Sequence, residues 1–134
     1  MATVFLVQTL FPTNLKTVTE KQTSDIIEIA VTTTSAEQKS TSYVTTDTEE
    51  IDAFLHWASD QKLRLQSIAN GLNANVKQAK KYNFAITSSD YSLTGIVIDE
   101  EGYVHIGAEL YKIVSDKQQF IAELLIQLSH WKHE

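Results

Sequence analysis

The chain contains no cysteine, which limits both its redox chemistry and its metal chemistry. Without thiols it has no disulfide framework and no thiolate metal site. The absence fits a reducing compartment, and we predict a cytoplasmic location.

Long hydrophobic runs are also missing. The apolar stretches at residues 4–7 and 124–126 are far shorter than the roughly 20 residues that cross a bilayer. The amino terminus is apolar, but it has no Lys or Arg ahead of its apolar run and no small-residue cleavage pattern after it. We interpret it as a first strand rather than a secretion signal, and we predict no membrane partner.

Glycine is scarce, and its positions exclude the common phosphate-binding loops. The chain has four glycines, which are Gly71, Gly95, Gly102 and Gly107. They form neither a Walker pattern nor a dinucleotide pattern, and no Gly-x-Ser-x-Gly turn exists to present a nucleophile. The sequence therefore predicts no cofactor and no catalytic residue.

Basic residues are outnumbered by acidic ones, 11 to 17, which gives a net charge of −6. This sign repels a phosphate backbone, so nucleic acid is not a predicted partner. The basic cluster of Lys77, Lys80 and Lys81 lies in a short polar connection without interleaved aromatic residues. We interpret that cluster as a solvated linker.

The composition is that of an ordinary globular protein, with 134 residues, 43% hydrophobic and 21% charged. This length is close to the usual size of one compact domain. We predict a single domain over residues 1–134.

Alternating and helical patterns organise the first half of the chain. Residues 3–10 are predicted to form a strand, residues 25–34 alternate clearly, and residues 41–45 complete a hairpin. A capping box at residues 46–49 then starts a helix whose apolar stripe continues as far as Leu72. Ser59 and Asp60 mark a break at which the helix could restart, and Asn70 and Gly71 are a natural stop.

The second half follows the same order. Residues 82–86 and 93–99 have the pattern of strands. Gly102 supplies the positive φ that the following turn requires. Residues 103–114 then return as one long strand, which Gly107 kinks.

A second capping box, at residues 115–118, starts the last helix. Its predicted buried face consists of Phe120, Ile121, Leu124, Leu125, Leu128 and Trp131. Together the patterns predict an α+β domain with an antiparallel sheet of about six strands, in the order βββα-βββα. Two main helices pack on one face of that sheet.

The two halves align when the sequence is shifted by 69 residues. The shift places Asp47 on Asp116 and Val44 on Ile113. An internal pseudo-duplication would explain this similarity and would predict pseudo-twofold symmetry, with a groove or dimer surface on the other face of the sheet. The alternative is that any strand leading into a capped amphipathic helix has this pattern.

The titratable residues are candidates for a site. His130 and His133 stand three apart beside Glu134, but they end the chain, where helices fray, so we predict no metal site. The acids at residues 47–52 and 99–101 are expected to be exposed, and exposed carboxyls keep ordinary pKa values. We interpret them as caps and turn formers.

A repeated dipeptide suggests an interaction surface. His56 and Trp57 lie on the first helix, and His130 and Trp131 recur at the end of the second. They could form an aromatic contact surface, or they could be half-buried helix flanks. Our leading hypothesis is a non-enzymatic protein–protein interaction module that is homo-oligomeric and binds through this surface or through its sheet face.

Two other functions remain open. One is a small-ligand carrier or simple enzyme, with a pocket between sheet and helices lined by Phe54, Tyr82, Phe84 and Tyr111. The other is an acidic inhibitor or immunity protein that neutralises a basic enzyme through the two acidic clusters.

Overall fold

The computed structural model describes residues 13–22, 25–34, 40–67, 80–107 and 109–133. These residues form an α+β fold with an antiparallel sheet, which confirms the predicted class. The helices are α1 (Leu15–Gln22), α2 (Thr48–Ser59) and α3 (Lys117–Ser129). The strands are β1 (Thr13–Asn14), β2 (Ile26–Thr34), β3 (Ser40–Thr45), β4 (Lys62–Ser67), β5 (Lys81–Ser88), β6 (Leu93–Asp99), β7 (Tyr103–Ile106), β8 (Glu109–Ile113) and β9 (Lys132–His133).

The strand count and order differ from the prediction of about six strands in the order βββα-βββα. Within the described residues, nine strands form one sheet in the order β1-β4-β8-β7-β6-β5-β2-β3-β9. Strands β1 and β9 contribute only two residues each, at the two edges. The strand predicted at residues 3–10 lies outside the described residues.

The predicted helix ends much earlier than Leu72. Helix α2 stops at Ser59, and the buried Gln61 side chain donates to the Trp57 carbonyl at 3.2 Å. Strand β4 follows, with Leu63 and Leu65 buried and the residue between them exposed. Leu65 lies seven residues after Ala58 and so also fits the helical stripe, but the spacing of two between Leu63 and Leu65 is that of a strand, and β4 pairs with β8.

The predicted long strand over residues 103–114 is a hairpin of β7 and β8. Gly107 has a φ of +58°, which reverses the chain instead of kinking it. Ile106 consequently pairs with Glu109 across the turn. Gly102 has a φ of +92°, as predicted for the preceding turn.

Helix α1 is absent from the sequence prediction. The Asn14 side chain accepts the Thr17 backbone N–H at 2.8 Å and so caps the helix start. Leu15, Val18 and Thr19 are buried at the spacing of one helical face. This stripe is only two turns long, which is too short to stand out in a polar sequence.

The two long helices begin one position later than their predicted hydroxyl caps. Asp47 caps α2 by accepting the backbone N–H groups of Glu49 and Glu50, and Asp116 caps α3 by accepting that of Gln118. The two cap positions are related by the predicted shift of 69 residues.

Helices α2 and α3 make reciprocal connections across the sheet. Helix α2 leads from β3 to β4, and β4 pairs with β8. Helix α3 leads from β8 to β9, and β9 pairs with β3. The two connections are related by an approximate twofold symmetry. The strands do not follow the shift of 69 residues, because Ile113 lies in the core whereas Val44, its counterpart, pairs with Ala30 on the opposite face of the sheet. A true duplication stays a prediction.

Aromatic side chains hold the helices to each other and to the sheet. Phe54 is the centre of this cluster, with its ring 5.6 to 5.7 Å from the rings of Trp57, Phe84 and Trp131. Trp57 in turn lies 5.2 Å from Phe120 of α3. Such tilted and edge contacts stabilise a core beyond the burial of area alone.

No helix in the described part of the chain is both long enough and apolar enough to cross a membrane.

Replacing Phe54 with Ala is expected to lower the free energy of unfolding by about 3 to 5 kcal/mol, because it leaves a cavity among aromatic rings. Chemical denaturation followed by tryptophan fluorescence measures the loss. Leu93 is 68% exposed, so Leu93→Ala should change stability by less than about 0.5 kcal/mol. A small loss for Phe54→Ala would contradict the central position of its ring.

Candidate functional site

The sheet has one face packed against the helices and a second face on its other side. Each strand sends alternate residues to the two faces, as in β5, where Tyr82, Phe84 and Ile86 are buried in the core. We call the second face the open face and define it by three rows of side chains that strand register aligns. The first, named the cationic row, is Arg64, Lys112, Tyr103, Asp99 and Lys81. Register pairs join its first three residues and its last two, and the Tyr103 backbone N–H, which donates to Asp99 Oδ1, joins the two parts. The second row is Leu110, His105, Val97, Asn83 and Thr32. The third row is Gly95, Ala85, Ala30 and Val44.

The cationic row concentrates positive charge on a protein whose net charge is −6. Arg64 and Lys112 are direct cross-strand neighbours, and the Lys112 Nζ lies 4.8 Å from the centroid of the Tyr103 ring. Lys81 lies opposite Asp99 on the far side of the row. An anion placed over the row would be attracted by these cations.

The side chains at the centre of the open face are small. Ala30, Ala85 and Gly95 are register neighbours on adjacent strands, so no large side chain of this row separates an incoming partner from the backbone there. Beyond this row two apolar side chains are exposed, Leu93 at 68% and Ile27 at 41%. The cations of the cationic row and these two apolar side chains therefore lie on opposite sides of the small central row.

One buried acid–base pair lies within the open face. The Oδ2 atom of Asp99 is 3.7 Å from the Nε2 atom of His105, and neither atom has a hydrogen-bond partner among the described residues. The other carboxylate oxygen, Oδ1, accepts the backbone N–H groups of Glu101 and Tyr103 at 2.8 and 3.2 Å. Those two bonds fix the carboxyl group, so that Oδ2 stays directed at the imidazole.

Burial shifts the pKa values of Asp99 and His105 towards each other. Removal from water raises the pKa of the Asp99 carboxyl, although the backbone N–H groups of Tyr103 and Glu101 and the nearby His105 partly oppose this. Removal from water also lowers the pKa of His105, against the opposing influence of Asp99. Such coupled groups exchange protons as a pair.

The structure corrects two interpretations made from the sequence. Asp99 is completely buried, so the acids at residues 99–101 are not all exposed as expected. Lys81 is the first residue of β5 and part of the cationic row, not a residue of a solvated linker. Lys77 lies outside the described residues.

The predicted aromatic surface is divided between core and solvent. Trp57 and Trp131 are buried, and the Trp57 Nε1 donates to the Glu123 carboxylate at 2.8 Å, which lowers the pKa of that carboxyl. His56 and His130 are exposed. Only the two histidines of this set therefore face solvent, and the interaction surface stays a prediction.

The predicted pocket residues are brought into the core. Phe54, Tyr82, Phe84 and Tyr111 are all buried between the sheet and the helices. The Tyr111 hydroxyl donates to Glu109 at 3.1 Å, and burial raises its pKa to about 12. These four residues line neither of the two clefts described next.

Two open clefts adjoin the start of α2, and Glu50 lines both. One, of about 220 Å³, lies between α2 and the end of α3 and is lined by Glu49, Glu50, Ala53, Gln127, His130 and Trp131. The other, of about 330 Å³, is lined by Glu28, Val44, Thr45, Thr46, Asp47, Glu50 and Lys132. Within the described residues, no group of three or more metal-ligating side chains comes together.

Comparisons with known proteins do not assign the chain to a family. No family model matches it, and neither the curated proteins nor the solved structures contain a match.

Replacing Asp99 with Asn is expected to stabilise the protein at pH 7 to 8 by about 1 to 3 kcal/mol, the cost of a buried charge without a full set of partners. Asn keeps the oxygen that accepts the two backbone N–H groups. Because burial raises the pKa of Asp99, the wild-type protein loses stability as the pH rises from about 4 through the folded-state pKa. The gain of the variant should therefore shrink towards pH 4.

Urea unfolding at several pH values measures this dependence. Asp52→Asn, at an exposed position of α2, serves as the matched control and should show no such trend. An Asp99→Asn variant that is less stable than the wild type throughout pH 4 to 8 would show that the ionised carboxylate stabilises the fold.

Proposed function

We propose that the protein is a non-enzymatic interaction module that binds an acidic segment of a partner protein on its open face. The observation that carries the proposal is the cationic row, an in-register line of Arg64, Lys112 and Lys81 on an acidic protein. Complementary charge of this kind steers encounter and fixes the register of binding. The absence of cysteine supports a cytoplasmic setting for this function.

The distribution of charge supports an acidic partner. Five cations project from the open-face side of β4, β5, β8 and β9, namely Lys62, Arg64, Lys81, Lys112 and Lys132. Among the described strand residues, the acids on that side are Glu28 and Asp99. By contrast, α2 exposes Glu49 and Asp52 on the helical side. The molecule is therefore polarised, with its positive side on the sheet.

The chemistry of the open face favours a protein over a nucleic acid. Single strands bind through cations combined with exposed aromatic platforms on which bases stack. Tyr103 is the aromatic side chain of the cationic row, and the ammonium group of Lys112 already covers its ring. The small and apolar residues beyond the row, such as Ala85 and Leu93, suit an extended polypeptide whose acidic end lies over the cations.

A fluorescent ten-residue peptide of alternating Asp and Ser tests this proposal by anisotropy. We expect Lys81→Glu combined with Lys112→Glu to weaken binding at least roughly tenfold, because two attractive charges become repulsive. Binding should also be lost at about 0.5 M salt, where the Debye length falls to a few ångströms.

The matched control combines Lys16→Glu with Thr48→Glu and Gln118→Glu, which changes the net charge by the same amount at positions of α1, α2 and α3. It should bind nearly as the wild type does. No binding by the wild type at low salt, or equal losses in the two variants, would exclude docking on the open face. Preference for an oligothymidine over the peptide would assign the face to nucleic acid instead.

A second function, self-association, is favoured by the outer side of α3. Ala122, Leu125, Ile126 and Ser129 recur at helical spacing and face solvent, with Ile126 59% exposed and Leu125 39% exposed. We call this set the α3 stripe. It carries no charge, whereas α2 exposes acids that would repel a second copy. An antiparallel pair of α3 helices would place Leu125 and Ile126 between the small residues of the other copy.

Ile126→Glu is expected to abolish concentration-dependent dimerisation in sedimentation experiments, because it places a charge at the centre of an apolar contact. Ile27→Glu, at an exposed apolar residue of β2, should leave dimerisation intact. Added salt should not weaken the dimer, because it screens the repulsion between two acidic copies. Docking on the open face should be lost in salt, so the salt dependence distinguishes the two functions. A wild-type protein that stays monomeric at high concentration would contradict this function.

A further inference from the structure

The Asp99–His105 pair lies inside the surface that is proposed to dock an acidic segment. His105 occupies the second row of the open face, and Asp99 belongs to the cationic row itself. The imidazole is 14% exposed, and the carboxyl group is completely buried. A change in the charge of this pair therefore acts directly beneath the docking surface.

Charged groups from every neighbouring element face this pair. Lys81 of β5 stands opposite Asp99, and it also acts on His105. Lys112 of β8 lies across Tyr103 in the same row. In the turn, Glu101 acts on Asp99, but its carboxylate is held by Lys117 at 2.8 Å.

We propose that uptake of one proton by the Asp99–His105 pair strengthens the docking of an acidic segment on the open face, so that docking is sensitive to pH. The proposal rests on the proposed function and adds its regulation.

The charge argument does not depend on which atom receives the proton. An ionised Asp99 beside a neutral His105 has a charge of −1. Protonating either Oδ2 or Nε2 makes the pair neutral overall, and the cationic row then loses its internal negative charge. By linkage, an acidic ligand that prefers the protonated pair must in turn raise the proton affinity of the pair.

The pH interval follows from the directions of the two shifts. Burial raises the pKa of Asp99 from about 4 and lowers that of His105 from about 6.5. The interval of the test therefore runs downwards from pH 7.5. The carboxylates of an Asp-containing ligand stay ionised until the pH approaches about 4, so a change in affinity above that pH reports on the protein.

The test measures the dissociation constant of the Asp–Ser peptide at pH 7.5 and at pH 5.5. The wild-type affinity is expected to rise about threefold at the lower pH, as one added charge near a surface site implies. Because either group can take up the proton, only the double variant Asp99→Asn/His105→Gln lacks both acceptors, and it should show a flat profile. His130→Gln, at an exposed histidine on the helical side, removes a histidine away from the open face and should keep the wild-type slope.

The outcomes separate the regulation from the docking. If the wild type binds the peptide and the Asp99→Asn/His105→Gln variant retains its slope, the regulation is overturned and the docking stands. If the wild type binds at no pH, the docking fails and the regulation with it.

A second measurement avoids reliance on the variants, which could fold poorly. Proton–carbon NMR spectra of the wild type follow the titration of the His105 imidazole with and without the peptide. The peptide should move the midpoint to higher pH, and an unchanged midpoint would overturn the proposal.

Discussion

The aromatic contact between α2 and α3 is the interaction on which the rest of the structure depends. Each helix connects a strand on one side of the sheet to a strand on the other side. The contact between the two helices therefore holds both halves of the sheet together. Phe54 touches both the sheet, through Phe84, and the end of α3, through Trp131. The bond from Trp57 to Glu123 satisfies the indole N–H at the same junction.

Placing the long helices on one side of the sheet has a direct consequence for function. A strand directs alternate side chains to the two faces of the sheet. The side chains that do not pack in the core can therefore take part in binding. In β4, for example, Leu63 and Leu65 complete the core while Arg64 points to the other side. The charge polarity of the molecule follows from this division, because the acids that cap and solubilise α2 remain on the helical side.

The Asp99–His105 pair shows how turn geometry and function can share one residue. Asp99 closes the turn between β6 and β7 by accepting two backbone N–H groups, a role that its position before Gly102 already indicates. The same geometry buries the carboxyl and leaves Oδ2 facing His105 with no hydrogen-bond partner in the described part of the chain. Burial of a charge without a full set of partners is costly, and such sites are often functional.

The sequence by itself determined the fold class, the cap region of both long helices and strand β6, because alternation, capping and positive φ are local properties. It did not end α2 at Ser59, since Leu65 continues the helical spacing from Ala58, and pairing with β8 is what fixes residues 62–67 as a strand. The sequence also could not predict the candidate site, for a related reason. Arg64, Lys81 and Lys112 are far apart in the chain, and only strand order and register place them in one row around a buried acid.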